Sequence, residues 1–130
     1  MPTEAISVNT TTKRIFVLDD ANWHNILTKK MLLDCGYEVT TFTNGYSLLE
    51  NLENEKPHLI ITDINMPQLN GFELCKKIKN HSACSNIPVM YVSSMRKEEI
   101  EARDKNLCAI YFMQKPILKN QFLDAVAQQV

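Results

Sequence analysis

The chain has 130 residues, 45% hydrophobic and 22% charged, which suits one domain with a core of its own. Fourteen basic residues against fifteen acidic ones leave a formal net charge of −1, excluding a global basic field that would hold nucleic acid or an anionic membrane. No run of about 18 apolar residues occurs, and Met1 to Thr12 lacks a charged stretch followed by an apolar one, so neither spanning nor export is expected.

Residues 1–12 are polar, threonine-rich and aperiodic, and are expected to form a flexible tail ahead of a single domain over 13–130. The run RIFVL (14–18) suits a buried strand. Ala21 to Cys35 reads as a helix with Trp23, Ile26, Leu27, Met31 and Leu33 as its apolar positions, stopped by Gly36. YEVTTF (37–42) alternates as a strand, Asn44-Gly45 punctuates, and Tyr46 to Glu55 reads as a helix through Leu48, Leu49 and Leu52. After Pro57, HLIIT (58–62) is strand-like, NMPQLNG (65–71) is a loop of breakers, and Phe72 to Lys79 is helical. IPVMYV (87–92) gives a fourth strand and Arg96 to Asn106 a charged helix whose thin apolar stripe is Ile100, Arg103 and Leu107. AIYFM (109–113) is a fifth strand and Ile117 to Gln129 a last helix.

Five strand–helix pairs in strict alternation imply an α/β fold: a five-stranded parallel sheet with helices on both faces. Cys35, Cys75, Cys84 and Cys108 show neither a C-x-x-C pair nor zinc-like spacing with histidine, so they read as free thiols of a reducing, cytoplasmic compartment. His24, His58 and His81 are scattered and are expected at the surface.

Ligands of open α/β sheets bind beyond the carboxyl ends of the strands. There the first strand ends in Asp19-Asp20, the third in Asp63, the fourth in Ser93-Ser94, and the fifth leads to Lys115-Pro116. Crowded carboxylates must be protonated or neutralised, and with no histidine or cysteine in this set the fitting partner is a hard, oxygen-seeking cation, magnesium above all. Lys115 can pair with a phosphoryl oxygen and Ser93 can donate to another. Asp63, alone at the end of a buried strand, is the candidate nucleophile, since a carboxylate attacking phosphorus yields an acyl phosphate.

The motifs VLDD (17–20), ITDINMPQLNGFEL (61–74), PVMYVSS (88–94) and FMQKP (112–116) resemble, in this order, the receiver domain of two-component response regulators, from about Lys13 onward. The resemblance implies a flavodoxin-like strand order 2-1-3-4-5. It also implies Asp63 as phosphoacceptor, Asp19, Asp20, Asp63 and the carbonyl of Asn65 as magnesium ligands, Ser93 as switch hydroxyl, Phe112 as switch aromatic, Lys115 as the site lysine, and a cis bond before Pro116. Phe112 has no phenolic hydroxyl, so its signal would pass through packing. Met95, two places beyond Ser93, is a candidate shield against water.

Each residue also has a plainer role. Asp19 and Asp20 could cap the helix that follows, Asp63 could open a turn, Ser93 could be a strand-end hydroxyl, Lys115 a surface lysine and Phe112 a core aromatic. Trp23 covers surface near the acidic residues and could report on them.

The function implied is magnesium-dependent transfer of a phosphoryl group from a histidine kinase or histidine phosphotransfer protein to Asp63, switching a surface read by a downstream effector in phosphorelay signalling. No nucleic acid, membrane or turnover of an external substrate is implied. The alternative is a phosphorylation-independent interaction module with the same fold. A phosphatase is disfavoured, because Asp63-Ile64-Asn65 lacks a second aspartate two places on.

Overall fold

A computed structural model describes residues 12–106 and 108–130; the tail expected at 1–12 lies outside them except for Thr12, as does Leu107. Strands β1 (Arg14–Leu18), β2 (Glu38–Phe42), β3 (Leu59–Thr62), β4 (Val89–Ser93) and β5 (Tyr111–Gln114) alternate with helices α1 (Asn22–Asp34), α2 (Gly45–Leu52), α3 (Gly71–Asn80), α4 (Lys97–Arg103) and α5 (Lys119–Gln129). All strand pairs are parallel, in the order β2-β1-β3-β4-β5. This is the α/β sheet expected from the alternation.

Side chains alternate across the pleat, so each central strand feeds two cores. Phe16, Leu18, Ile60 and Tyr91 join Leu48, Leu52, Leu74, Ile78 and Ile100 in one cluster. Ile15, Val17, Ile61, Met90 and Val92 join Leu32, Phe122 and Val126 in the other. A continuous Ile/Val/Leu run is what burial on both faces requires. Both edge strands are more open, and β5 has no fully buried residue.

Local chemistry sets the helix ends. Asn44 accepts the amide of Ser47 at the start of α2. Asn70 and Glu73 exchange side-chain-to-backbone bonds of 2.9 and 3.0 Å at the start of α3, satisfying two otherwise orphaned donors. Gly36 takes φ +90° after α1, a left-handed conformation that glycine adopts without Cβ strain.

Two readings need correction. In α1 the buried positions are Asn25, Thr28 and Leu32, whereas Trp23, Ile26, Leu27 and Leu33 are exposed. The Asn25 amide spans the carbonyls of Asp19 at 2.9 Å and Phe42 at 2.8 Å, stapling α1 to the ends of β1 and β2, so a polar stripe wins the inner face. Helix α4 stops at Arg103, three residues short of expectation, because Asp104 turns inward and accepts the Tyr91 hydroxyl at 3.1 Å.

Candidate functional site

The ladders continue past the strand ends and carry the polar residues to one rim. The amide of Asp63 donates to Leu18 O at 3.0 Å, that of Asp19 to Phe42 O at 3.2 Å, and that of Lys115 to Ser93 O at 2.8 Å. Asp19, Asp63, Ser93 and Lys115 therefore leave four different strands at the same sheet edge, the edge where parallel α/β proteins bind ligands.

Carboxylate oxygens of Asp19, Asp20 and Asp63 all lie within 4.8 Å of one another. Lys115 Nζ stands 2.9 Å from both Asp19 Oδ2 and Asp63 Oδ2. The remaining oxygens are partly taken by backbone: Asp19 Oδ1 accepts Ala21 N at 2.9 Å, and Asp63 Oδ1 accepts Ile64 N at 2.6 Å. Among the described residues no ion pair reaches exposed Asp20. Three carboxylates against one ammonium leave two negative charges uncompensated, and every acidic donor is a hard oxygen. That donor set fits magnesium, which takes one or two carboxylates and retains several waters.

Burial pushes the Asp19 carboxyl up, but hydrogen bonds from Ala21, Lys115 and His24 outweigh it and hold the group below its ordinary value. Burial likewise pushes Lys115 down, and its bonds to Asp63 and Asp19 outweigh that and raise it. A depressed carboxylate contributes stability above its unfolded pKa and loses it as pH falls through the folded one; a raised ammonium contributes below its unfolded pKa and loses it as pH climbs through the folded one. Metal-free protein is therefore expected to hold the Asp19–Lys115 contribution from the ordinary carboxylate value of 3.8 to the ordinary lysine value of 10.5, losing it beyond either end. Urea midpoints measured across pH in chelator should show both losses, and Lys115→Gln should flatten the alkaline one.

The sequence profile of the response regulator receiver domain matches residues 15–127. The chain belongs to this family. Protein PilG of Pseudomonas aeruginosa is 29% identical over 117 residues, covering 90% of this chain and 87% of that protein. The chemotaxis response regulator CheY4 of Vibrio cholerae has a similar structure, with TM-score 0.85, 25% identity, 92% of this chain and 100% of that one covered. TrrA of Thermotoga maritima, solved with Mg²⁺–BeF, has TM-score 0.81 at 24% identity, covering 92% and 100%. Larger matched relatives, named two-component response regulator-like, are spanned over only 15% of their length.

Within this receiver domain Ser93 is buried and its Oγ accepts the amide of Met95 at 3.2 Å, leaving its proton for another acceptor. Phe112 is half-buried, packs against the core cluster of Phe72 and Tyr91, and lines a groove with Ile100 and Asp104. Asn65 is exposed on the loop after Asp63, and the Lys115–Pro116 bond is cis. Met95, the candidate shield, is a buried member of the core cluster with its amide on Ser93 Oγ.

His24 was expected at the surface, yet its Nδ1 lies 2.6 Å from Asp19 Oδ2, the oxygen that Lys115 also uses, and its side chain is 15% exposed. No motif marks it: the contact exists because α1 turns it back onto the end of β1, five residues earlier. His58 and His81 are also only partly exposed, His58 accepting the amide of Arg14 at 2.9 Å. The reading of four free thiols is corrected as well. Cys75 of α3 and Cys108, just ahead of β5, form a disulfide with Cα atoms 6.2 Å apart, while Cys35 and Cys84 are free. A separation of 33 residues carries no local signal, and the pair meets only once α3 and the segment ahead of β5 pack on the same core cluster. Thiol count therefore no longer argues for a compartment. Among the described residues no helix is long and apolar enough to cross a membrane.

Proposed function

We propose that Asp63 accepts a phosphoryl group from a phosphohistidine on a histidine kinase or histidine phosphotransfer protein, and that the modified domain presents an altered surface to a downstream effector. The observation that carries this reading is the shared rim: Lys115 Nζ at 2.9 Å from Asp63, within a carboxylate set carrying excess negative charge. Asp63 supplies the attacking oxygen; its bond to phosphorus forms as the donor's nitrogen–phosphorus bond breaks, giving an acyl phosphate. Magnesium held by Asp19, Asp20, Asp63 and the Asn65 carbonyl would offset repulsion between anionic nucleophile and anionic donor.

Lys115, already paired with Asp63, follows the added charge onto a phosphoryl oxygen, and Ser93 turns its free proton toward another. Those two bonds pull on the ends of β4 and β5, and Phe112 answers through packing. The protein modifies itself rather than turning over an external substrate. We place it in the cytoplasm, alongside the kinase that would supply its phosphoryl group, and the exposed apolar positions Trp23 and Leu27, which share a groove with His24, Pro116 and Ile117, are suited to the donor because His24 of that groove reaches Asp19.

Incubation with acetyl phosphate and magnesium is expected to add one phosphate, labile to alkali, with none in chelator. Magnesium at ten times its Kd should stabilise the fold by about 1.4 kcal/mol. Trp23, whose ring lies 5.1 Å from that of His24, gives a fluorescence readout of the titration. A folded protein with no magnesium response and no phosphate uptake would overturn the reading.

A further inference from the structure

Helix α4 is held to the body by few contacts. Ile100 is its one buried residue. At its end Asp104 accepts the Tyr91 hydroxyl at 3.1 Å and the Cys108 amide at 3.1 and 3.3 Å, and the Arg103 guanidinium lies 5.0 Å over the ring of Phe72. Burial, and then the charge and hydrogen bond of Asp104, push the Tyr91 hydroxyl strongly up, so it stays a donor. The Cys75–Cys108 bond is the covalent link in this group, running from the inner face of α3 to the residue whose amide caps Asp104.

We propose that Cys75 and Cys108 form a reversible thiol–disulfide pair that ties the α4–β5 connection to α3, and that its redox state sets how freely α4 and β5 move. The two partners differ in access. Cys75 is fully buried, whereas Cys108 is half-buried and lines a surface depression with Lys76 and Lys79. Cys108 is therefore the sulfur that meets an oxidant and Cys75 the one that resolves.

With a hydroperoxide as oxidant, the Cys108 thiolate attacks the O–O bond, its sulfur becoming a sulfenic acid and the peroxide leaving as water or an alcohol. The Cys75 thiol then attacks that sulfur, the S–S bond forms, and the S–O bond breaks to release water. Two thiols lose two electrons and two protons, and one peroxide is reduced. A dithiol reverses the step by exchange, ending as its own disulfide.

The oxidised tether fixes Cys108, whose amide holds Asp104, so the end of α4 that carries the Tyr91–Asp104 and Arg103–Phe72 contacts is anchored from its C-terminal side. Reduction leaves α4 on those contacts and Ile100. The effect on signalling rests on the receiver reading above, because Phe112 and the end of β4 would transmit through this region; the bond and the loosening do not rest on it.

The test compares full-length protein in hydrogen peroxide and in excess dithiothreitol, alongside Cys108→Ser and Cys75→Ala. Peptide mapping should find Cys75 joined to Cys108 in peroxide only, and hydrogen exchange of α4 and β5 amides should slow on the order of tenfold or more in the oxidised form. Both variants should exchange as the reduced protein does under either condition. Absence of the joined peptide, or equal exchange in the two forms, would overturn the proposal. Beryllofluoride with magnesium should alter Trp23 fluorescence in both redox states but α4 exchange only when reduced. An equal exchange response in both states rejects the tether's control of the switch, whereas a silent Trp23 in both rejects the receiver reading and leaves the tether standing.

Discussion

Asp63→Asn is expected to take up no phosphate from acetyl phosphate or a phosphohistidine donor at any magnesium concentration, while remaining folded. The carboxamide matches the carboxylate in shape, so Oδ1 can still accept Ile64 N, and Lys115 retains its bond to Asp19. The substitution also removes one of three mutually repelling charges, which offsets the lost pairing with Lys115. What disappears is the proposed nucleophile: an amide has no anionic oxygen to attack phosphorus, and loss of a nucleophile typically costs on the order of 10³ or more in rate. Intact-mass measurement before and after exposure to the donor reads this directly. Asp20→Asn is the informative partner, since it keeps the candidate nucleophile and loses a proposed cation ligand; its phosphorylation should slow and recover in part as magnesium is raised. Equal labelling of Asp63→Asn and wild type would move the acceptor to another carboxylate.

The sheet was legible because its signals are local. RIFVL, LIIT and VMYV are apolar runs flanked by breakers, and each occupies a strand within one or two residues of the expected bounds. The candidate site was legible for a geometric reason, that parallel strands end at one rim, so residues following four separate runs must gather. What escaped has a common cause too: it depends on contacts between elements. The inner face of α1 is decided by Asn25 reaching the carbonyls of Asp19 and Phe42, which no apolar periodicity records, and the same register turns His24 onto Asp19. The end of α4 is decided by Tyr91 on a neighbouring strand. The disulfide joins residues brought together only by packing α3 and the segment ahead of β5 on one core cluster. Phe112, plausible as either core or switch, is half-buried, and its packing beside Ile100 and Asp104 is consistent with both.

Gly71→Ala should damage fold and chemistry together, and the reason lies in what surrounds its Cα. The amide of Gly71 donates to Ile64 O at 2.9 Å, folding the loop after β3 back so that the first residue of α3 rests on the backbone of Asp63 and Ile64. A Cβ there would press on the Asp63 carbonyl oxygen and approach Ile64 Cα to 2.8 Å. Both are main-chain atoms of the segment carrying the candidate nucleophile, so neither can rotate away. Overpacking of this kind costs about 3 kcal/mol. Shifting Asp63 by about 1 Å against Lys115 and the neighbouring carboxylates should slow phosphorylation on the order of 10²-fold. Gly45→Ala is the control, because its Cβ would meet Leu69 Cδ2 at 2.7 Å, the far end of a flexible side chain that can swing aside. It should stay within about 1 kcal/mol of wild type and keep its phosphorylation rate. Urea midpoints and initial rates of phosphate uptake for the two variants separate the cases, and a Gly71→Ala protein matching wild type in both would show that the loop after Asp63 yields where its backbone contacts say it cannot.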